Sequence, residues 1–510
     1  MAKKDREPIL MATIDVGAHA ARMLIAQVYR NYSFEVLEDL VQPVPLGANV
    51  FQRGKIGNRS IRLLCEIFQN FKQKMDEYGV ELYKAIATSA VREASNSDIF
   101  LERIEHASGI KLEVFEGIDG ARLDYLTVNK DLQSRFNFNK KKMLIADIGT
   151  GATQVSVYDK GQICFTETIR AGTLRILKEM PAQLSSSSIT AALAPFVEKA
   201  FNELEHTSYD LRTDGVVAMG SSVRTAAIIS GKIKKNQKAL SITKEKFSEV
   251  YEIATSSSSE KLAETYNVNS EMAEAVAPCS LILSHLLNLT GAAEIIVPMT
   301  STKDALLLDF INEVLDKHDY FSNQILAIAR NIAGKYKCID SYTENVMKYS
   351  EEIFKRTESL HGLDEKELLL LKLAAYFHTI GLFINNRAYH KHSYYLISNT
   401  DIPGLTDKQR KIVALTARYH RKAFPKPVHA EYTSLDRRSR SVVNKLASIL
   451  RIACGIASSY EGYKNFYLKI KDESVEIKIK DEAGTSFDRD ALEKSGGFFN
   501  YVFSKRIIFT

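Results

Sequence analysis

One device occurs twice in this chain. Met11 to Arg22 reads Met-Ala-Thr-Ile-Asp-Val-Gly-Ala-His-Ala-Ala-Arg, and Leu144 to Gln154 reads Leu-Ile-Ala-Asp-Ile-Gly-Thr-Gly-Ala-Thr-Gln. In each, an apolar run ends in an aspartate and a glycine-containing turn follows. A β-strand built this way delivers a carboxylate to its tip, and the glycines let backbone N–H groups close on an anion. A single Asp-x-Gly after a strand is equally well a plain hairpin turn. Two copies in matching context restrict the chain to two related α/β halves that face each other across a cleft. That arrangement is a phosphate clamp with a carboxylate, Asp15 or Asp147, on each jaw.

At 510 residues the chain is longer than one hydrophobic core supports, so roughly two to four domains are expected. Its 45% hydrophobic and 25% charged residues are the balance of a soluble globular protein. No apolar stretch is expected to reach the ~18–20 residues that cross a bilayer. The N-terminal Met-Ala-Lys-Lys-Asp-Arg-Glu has no apolar region behind its charges. No membrane partner is therefore expected, and the protein is placed in the cytoplasm. The five cysteines, Cys65, Cys164, Cys279, Cys338 and Cys454, lack metal-type spacing and read as reduced core thiols. The net charge of +6 arises partly from Lys140–Lys142 and Lys232–Lys238, which read as solvated loop lysines. Such a surface attracts polyanions. Nucleic acid is not the expected one, because there is neither an aromatic stacking motif nor a recognition-helix signature.

Along the chain, Ile9 to Tyr29 reads as strand, turn, strand. Apolar residues at helical spacing (Ile61, Leu64, Phe68, Phe71) predict an amphipathic helix over Ser60 to Tyr78. Leu82 to Thr88 is a strand that leads into a helix start at Ser89. Lys111 to Phe115 is another strand, and Gly117 to Val128 begins a helix. The second half restarts at Met143 with three strands, the later two over Gln154 to Tyr158 and Gln162 to Thr168. Gly215 to Ser222 is a buried strand that empties into a small-residue turn. Glu294 to Pro298 is a last strand before a helix around Lys303 to Val314. From about 320 to 460 the pattern is nearly all helical, with an all-round apolar helix starting at Leu368. Alternation returns in Phe466 to Lys471 and Val475 to Lys480, which predicts a hairpin. The implied domains are residues 1–136, 137–316 and 317–510.

The ordered motifs resemble the exopolyphosphatase/guanosine pentaphosphate phosphohydrolase (Ppx/GppA) family over nearly the full length. The carrying segments are Asp15–Met23, Ala87–Asn96, Asp147–Gln154, Met219–Arg224, His390–Ile397 and Arg418–Lys422. The resemblance implies two actin/Hsp70-like (ribonuclease H-like) α/β domains with a cleft between them, and a mainly helical, HD-like C-terminal domain with a β-rich tail. It implies Mg²⁺-assisted hydrolysis of a terminal phosphoanhydride, with inorganic polyphosphate or guanosine penta/tetraphosphate as the partner molecule. A homodimer is compatible with this reading. Carried over by position, Asp15 and Asp147 hold the metal and, with Asp119, form the catalytic set. Gly17, Arg22, Arg92, Gly149, Thr150, Gly151, Gly220 and Ser221 bind phosphate. His390, His392, Arg418, His420, Arg421 and Lys422 line a polyanion channel.

Departures from the family pattern concentrate on the carboxylates. The family's Gly-x-Glu-Glu-Ala-Arg, which carries the proposed base, is here Gly117-Ile-Asp-Gly-Ala-Arg122, so that Gly120 replaces the second glutamate. Asp119 remains, but one residue is about 100° of helical rotation. The metal-side glutamate is Gln154, a poorer Mg²⁺ ligand, and the first turn carries Ala18-His19-Ala20 in place of Ser-Asn-Ser. In the HD-like region His378 is followed by Thr379, and Thr343 stands where a histidine is common. A second hydrolytic centre there is not expected, because the carboxylate that neutralises a metal is missing. Two readings follow: an exopolyphosphatase-type hydrolase, or a polyphosphate/(p)ppGpp binder that has lost its base. A sugar or acetate kinase on the same fold would need an adenosine pocket, for which there is no sign.

Overall fold

In a computed structural model of the protein, the described residues are 8–115, 119–132, 138–178, 186–207, 209–231, 238–315, 321–338, 341–457, 466–479 and 489–509. The lysine cluster at 232–237 lies outside them. The chain divides into two compact units, Met1–Tyr320 and Phe321–Thr510.

The first unit contains two sheets with a common plan. Strands β1 (Ile9–Val16), β2 (Ala20–Val28), β3 (Phe34–Pro43), β4 (Leu82–Ala87) and β5 (Glu113–Val114) form one sheet in the order β3-β2-β1-β4-β5. Strands β6 (Lys142–Ile148), β7 (Thr153–Asp159), β8 (Gln162–Ile169), β9 (Gly215–Met219), β10 (Ala239–Thr243) and β11 (Glu294–Pro298) form the other, ordered β10-β11-β9-β6-β7-β8. In both, three antiparallel strands are followed by a fourth that joins the first in parallel. The parallel join needs a crossover, and helices supply it. In the first sheet the crossover includes Asn58–Tyr78, whose buried Ile61, Leu64, Phe68, Phe71 and Met75 recur at three- and four-residue spacing.

Each lobe has its own core. Ile14, Val16, Phe68 and Phe100 belong to the first, and Leu144, Val157, Phe201 and Leu286 to the second. The helix Thr302–Val314 follows the second sheet in sequence but covers the first: Leu307, Phe310 and Ile311 pack with Met11, Leu24, Ala26 and Val28. A second helix, Gly120–Leu132, lies beside it, with Leu123 packed against Ile86, Ala305 and Leu306. An ion network ties the pair to the first sheet. Asp309, almost fully buried, accepts from Lys84 Nζ at 3.1 Å and Arg122 Nη2 at 3.0 Å, and Lys84 also reaches Glu313 at 2.7 Å.

Two strands of this unit go unmarked in the sequence pattern. β3 is an exposed edge whose Glu35, Glu38 and Asp39 mask its alternation, and β10 has only five residues. The segment Lys111 to Phe115 pairs over two residues only. The expectation that no apolar stretch is long enough to cross a membrane needs correction: Ser270–Thr290 passes on length and composition. Within it, Val276–Thr290 is a core helix, with Val276, Ile282, Leu286 and Leu287 buried in the second lobe. All five cysteines are free thiols.

The second unit is mainly helical, with Ser322–Lys335, Ser341–Arg356, Glu365–Phe377, Asp407–Arg418 and Arg437–Ala457 among its helices. Glu365–Phe377 is buried nearly all round from Leu368 onward, and a capping box between Asp364 and Glu367 sets its start. The expected hairpin is present as β12 (Phe466–Ile470) and β13 (Ser474–Ile479). A helix, Arg489–Phe503, then carries the chain to β14 (Arg506–Phe509), which pairs in parallel with β13.

Candidate active site

The two aspartate turns are built alike. Asp15 is the penultimate residue of β1 and stands opposite Arg22 on β2, and Asp147 is the penultimate residue of β6 and stands opposite Gln154 on β7. Gly17 N–H donates to Ala20 O at 2.9 Å, and Gly149 N–H donates to Ala152 O at 3.0 Å. Two of the four glycines expected to bind phosphate, Gly17 and Gly149, therefore use their N–H groups to close the turns. The parallel neighbours also correspond: β4 runs into Thr88 and the helix Ser89–Arg92, and β9 into Gly220 and the helix Ser221–Ile229. Gly220 has φ +120°, and a Cβ there would lie 2.3 Å from Ile148 O. Only glycine lets the second jaw close this tightly. The first N–H groups of the following helix have no intrahelical acceptor and present a partial positive charge.

Between the lobes lies a cavity of about 520 Å³. Asp15, Gly17, Arg22, Arg92, Gly149, Thr150, Gly220 and Ser221 line it, with Asp147 and Gln154. Asp119 and Gly151 are not on its wall. Gly151 instead faces Phe51 and Ser89, and a Cβ there would meet Phe51 Cζ at 2.5 Å and Ser89 Oγ at 2.6 Å. Arg92 donates through Nη1 to Phe115 O at 2.7 Å. Its neighbour Glu93 crosses the lobes to accept from Arg175 at 2.5 and 2.6 Å and from Arg170 at 2.9 Å. Arg175 also lies over the Phe51 ring at 4.5 Å.

Two cleft residues lie outside the site set expected from the sequence, although Arg224 ends the Met219–Arg224 segment that carries the resemblance. Arg224 lines the cavity near Asp147 and Asp304, whose charges oppose the penalty of its burial. Asp124 is 4% exposed and also lines it, and its Oδ2 has no hydrogen-bond partner. The available signal was helical spacing. Asp124 is one turn beyond Gly120, on the same face, whereas Asp119 is turned about 100° away.

Burial is the main cause that raises the proton affinity of all three cleft carboxylates. Burial lifts Asp15 above the usual carboxylate range, partly offset by Arg22 Nη1 at 3.2 Å. Asp147 is raised to about 6 by burial, with Arg224 opposing and Asp15 adding to the shift. Burial, then Asp147, places Asp124 well above its ordinary value. Gln154 is fixed at both ends: Nε2 donates to Thr166 Oγ1 at 2.7 Å, and Oε1 accepts from Thr168 Oγ1 at 2.6 Å. His19, at the rim, is 3.8 Å from Glu271 and held below its usual pKa by burial.

Among the described residues no three His, Cys, Asp or Glu side chains converge to hold a metal unaided. The carboxylates of Asp15 and Asp147, both buried on the cavity wall, nonetheless suit a hard cation that takes its remaining ligands from water and phosphate.

In the helical unit the six channel residues are not a row of free cations. His420 is buried, with its pKa far below the usual value through burial and then His378; Nδ1 is 2.6 Å from Ala417 O and Nε2 is 3.2 Å from the Tyr389 hydroxyl. His390 is lowered to about 4 by burial and nearby cations, Arg421 foremost. Arg418 pairs with Glu431 at 3.0 Å. Arg421 lies over the Tyr389 ring at 4.7 Å, His392 is partly buried, and Lys422 is exposed. Thr343 is buried and donates to Cys338 O at 2.8 Å.

Comparison with known proteins agrees with this architecture. The Ppx/GppA phosphatase family profile matches residues 24–313, and that of Ppx/GppA phosphatase domain III matches residues 327–494. A guanosine-5'-triphosphate,3'-diphosphate pyrophosphatase from Pseudoalteromonas translucida is 22% identical over 481 residues, 92% of each chain. One from Aliivibrio fischeri is 22% identical over 426 residues, 81% of each. Among solved structures, the Ppx/GppA family member of Aquifex aeolicus superposes with a TM-score of 0.51 at 20% identity, covering 61% of this chain and 99% of that one. An exopolyphosphatase from Cytophaga hutchinsonii gives 0.52 at 20% identity, covering 60% and 98%. The fold is thus a pair of α/β lobes of one plan followed by a mostly helical region, and the chain belongs to the Ppx/GppA phosphatase family.

Proposed function

We propose that the protein is a phosphohydrolase that removes the terminal phosphate of inorganic polyphosphate or of guanosine pentaphosphate, with Mg²⁺. The observation that carries this reading is the convergence of both aspartate turns on one cavity that also receives Arg22, Arg92 and Arg224. Asp15 and Asp147 would hold the cation, which supplies charge neutralisation at the transferred phosphoryl group. The N-terminus of Ser221–Ile229 binds phosphoryl oxygens through its unpaired N–H groups. Arg22, Arg92 and Arg224 surround the remaining charge, and the fixed amide of Gln154 adds a neutral dipole where a carboxylate would repel the substrate.

The second reading is a polyphosphate or (p)ppGpp binder without turnover. It is favoured by Gly120 and Gln154, which stand in place of glutamates. Phosphate release from long-chain polyphosphate and from guanosine pentaphosphate, measured beside filter binding on one preparation, separates the two. Release with Mg²⁺ is expected; binding without release of phosphate from either substrate assigns the protein to the second.

A further inference from the structure

We infer that Asp124 aligns and deprotonates the attacking water, a role that rests on the hydrolytic reading above. Hydrolysis needs a proton acceptor beside the water as well as groups that hold phosphate. Of the acidic side chains on the described cleft wall, Asp15 is engaged by Arg22, Asp147 stands at the strand tip beside Arg224, and Glu271 is at the rim beside His19. Asp124 is the one with a buried oxygen that has no hydrogen-bond partner. Such an atom is costly to keep in a folded protein unless a ligand or water satisfies it.

The helix explains how the carboxylate reaches the cleft. Gly120 leaves its own place empty: the nearest atoms to a Cβ there belong to the Gln154 side chain, 4.0 Å away. Four residues on, the helix has turned about 400°, so position 124 lies only about 40° from position 120. Helical side chains lean toward the N-terminus, which directs the Asp124 carboxylate back over the space left by Gly120. In the step itself a water proton passes to Asp124 Oδ2. The water oxygen bonds to the terminal phosphorus, the bond from phosphorus to the bridging oxygen breaks, and the shortened chain leaves with that electron pair.

The test uses the full chain, long-chain polyphosphate and Mg²⁺, with kcat, KM and filter binding read separately. Asp124→Asn should lower kcat by about 100-fold or more while binding changes no more than a few-fold. Gly120→Glu added to Asp124→Asn should recover much of the loss, because a glutamate at 120 enters the same space from the same face. If the asparagine variant melts early, Asp124→Ala repeats the measurement with and without Gly120→Glu. An unchanged kcat overturns the inference and leaves the hydrolytic reading standing. So does a parallel loss of kcat and affinity that Gly120→Glu does not repair. A wild type that binds both substrates and releases phosphate from neither overturns the hydrolytic reading and this inference with it.

Discussion

Gln154 faces Asp147 across the β6–β7 ladder, and the hydroxyls of Thr166 and Thr168 fix its amide. A glutamate there would put a further negative charge beside carboxylates that already resist ionisation. The sign of the existing effect is set by raised folded-state pKa values. Asp147, shifted to about 6, contributes stability that is complete below its unfolded value near 4 and is lost as pH rises toward 6; Asp15 and Asp124 act in the same direction. Metal-free protein should therefore lose stability as pH rises above about 4, through Asp147 up to about pH 6 and through Asp15 and Asp124 in the same direction. Asp124→Asn should raise the melting temperature more at pH 8 than at pH 5, and Gln154→Glu should lower it more at pH 8. Mg²⁺ should recover more stability at pH 8 in both wild type and Gln154→Glu. Thermal unfolding at the two pH values, with and without Mg²⁺, checks this; an Asp124→Asn effect independent of pH would mean that the buried carboxyl does not ionise unfavourably. Gly220→Ala is a separate residue-scale prediction. Its φ of +120° and the 2.3 Å approach to Ile148 O should cost about 2 kcal/mol or more in chemical denaturation. A cost near zero would mean that the turn relaxes freely.

The helices Gly120–Leu132 and Thr302–Val314 show what was legible in the sequence and what was not. The strand-turn-strand units, the amphipathic helix Asn58–Tyr78 and the terminal hairpin follow from periodicity and glycine placement, and the ordered motifs gave the family. Asp124 did not emerge because the matched motif ends at Arg122, and the compensating carboxylate appears only when the helix face is followed one turn beyond Gly120. The burial of His390 and His420 was likewise hidden, since a histidine-rich stretch looks the same on a surface as in a packed interior. Thr302–Val314 belongs by sequence to the second lobe but covers the first sheet, a placement set by Leu307, Phe310 and Ile311 meeting Leu24 and Val28. Asp309 ties that helix to Lys84 and Arg122. Asp309→Ala leaves both cations partly desolvated and should destabilise the protein by about 3–5 kcal/mol. Denaturant unfolding measures this, and a loss below about 1 kcal/mol would place the network among weak surface pairs.

At the scale of the whole molecule, duplication accounts for the first unit: two sheets of one plan bring Asp15 and Asp147 to a single cavity, each next to last in a first strand. Glu93, held by Arg170 and Arg175, ties the lobes together beside that cavity. The helical unit carries the domain III match, and in it the rings of His361, His420 and His429 are engaged in hydrogen bonds, whereas the proposed phosphate chemistry rests on the first unit. The most direct test of this account is Mg²⁺-dependent phosphate release from polyphosphate and guanosine pentaphosphate by the wild type and by Asp15→Asn/Asp147→Asn, with unfolding curves to establish that the variant is folded. The account predicts release by the wild type from at least one of the two substrates and its loss in a folded variant. Equal release by a folded variant, or no release by the wild type from either substrate, would contradict it.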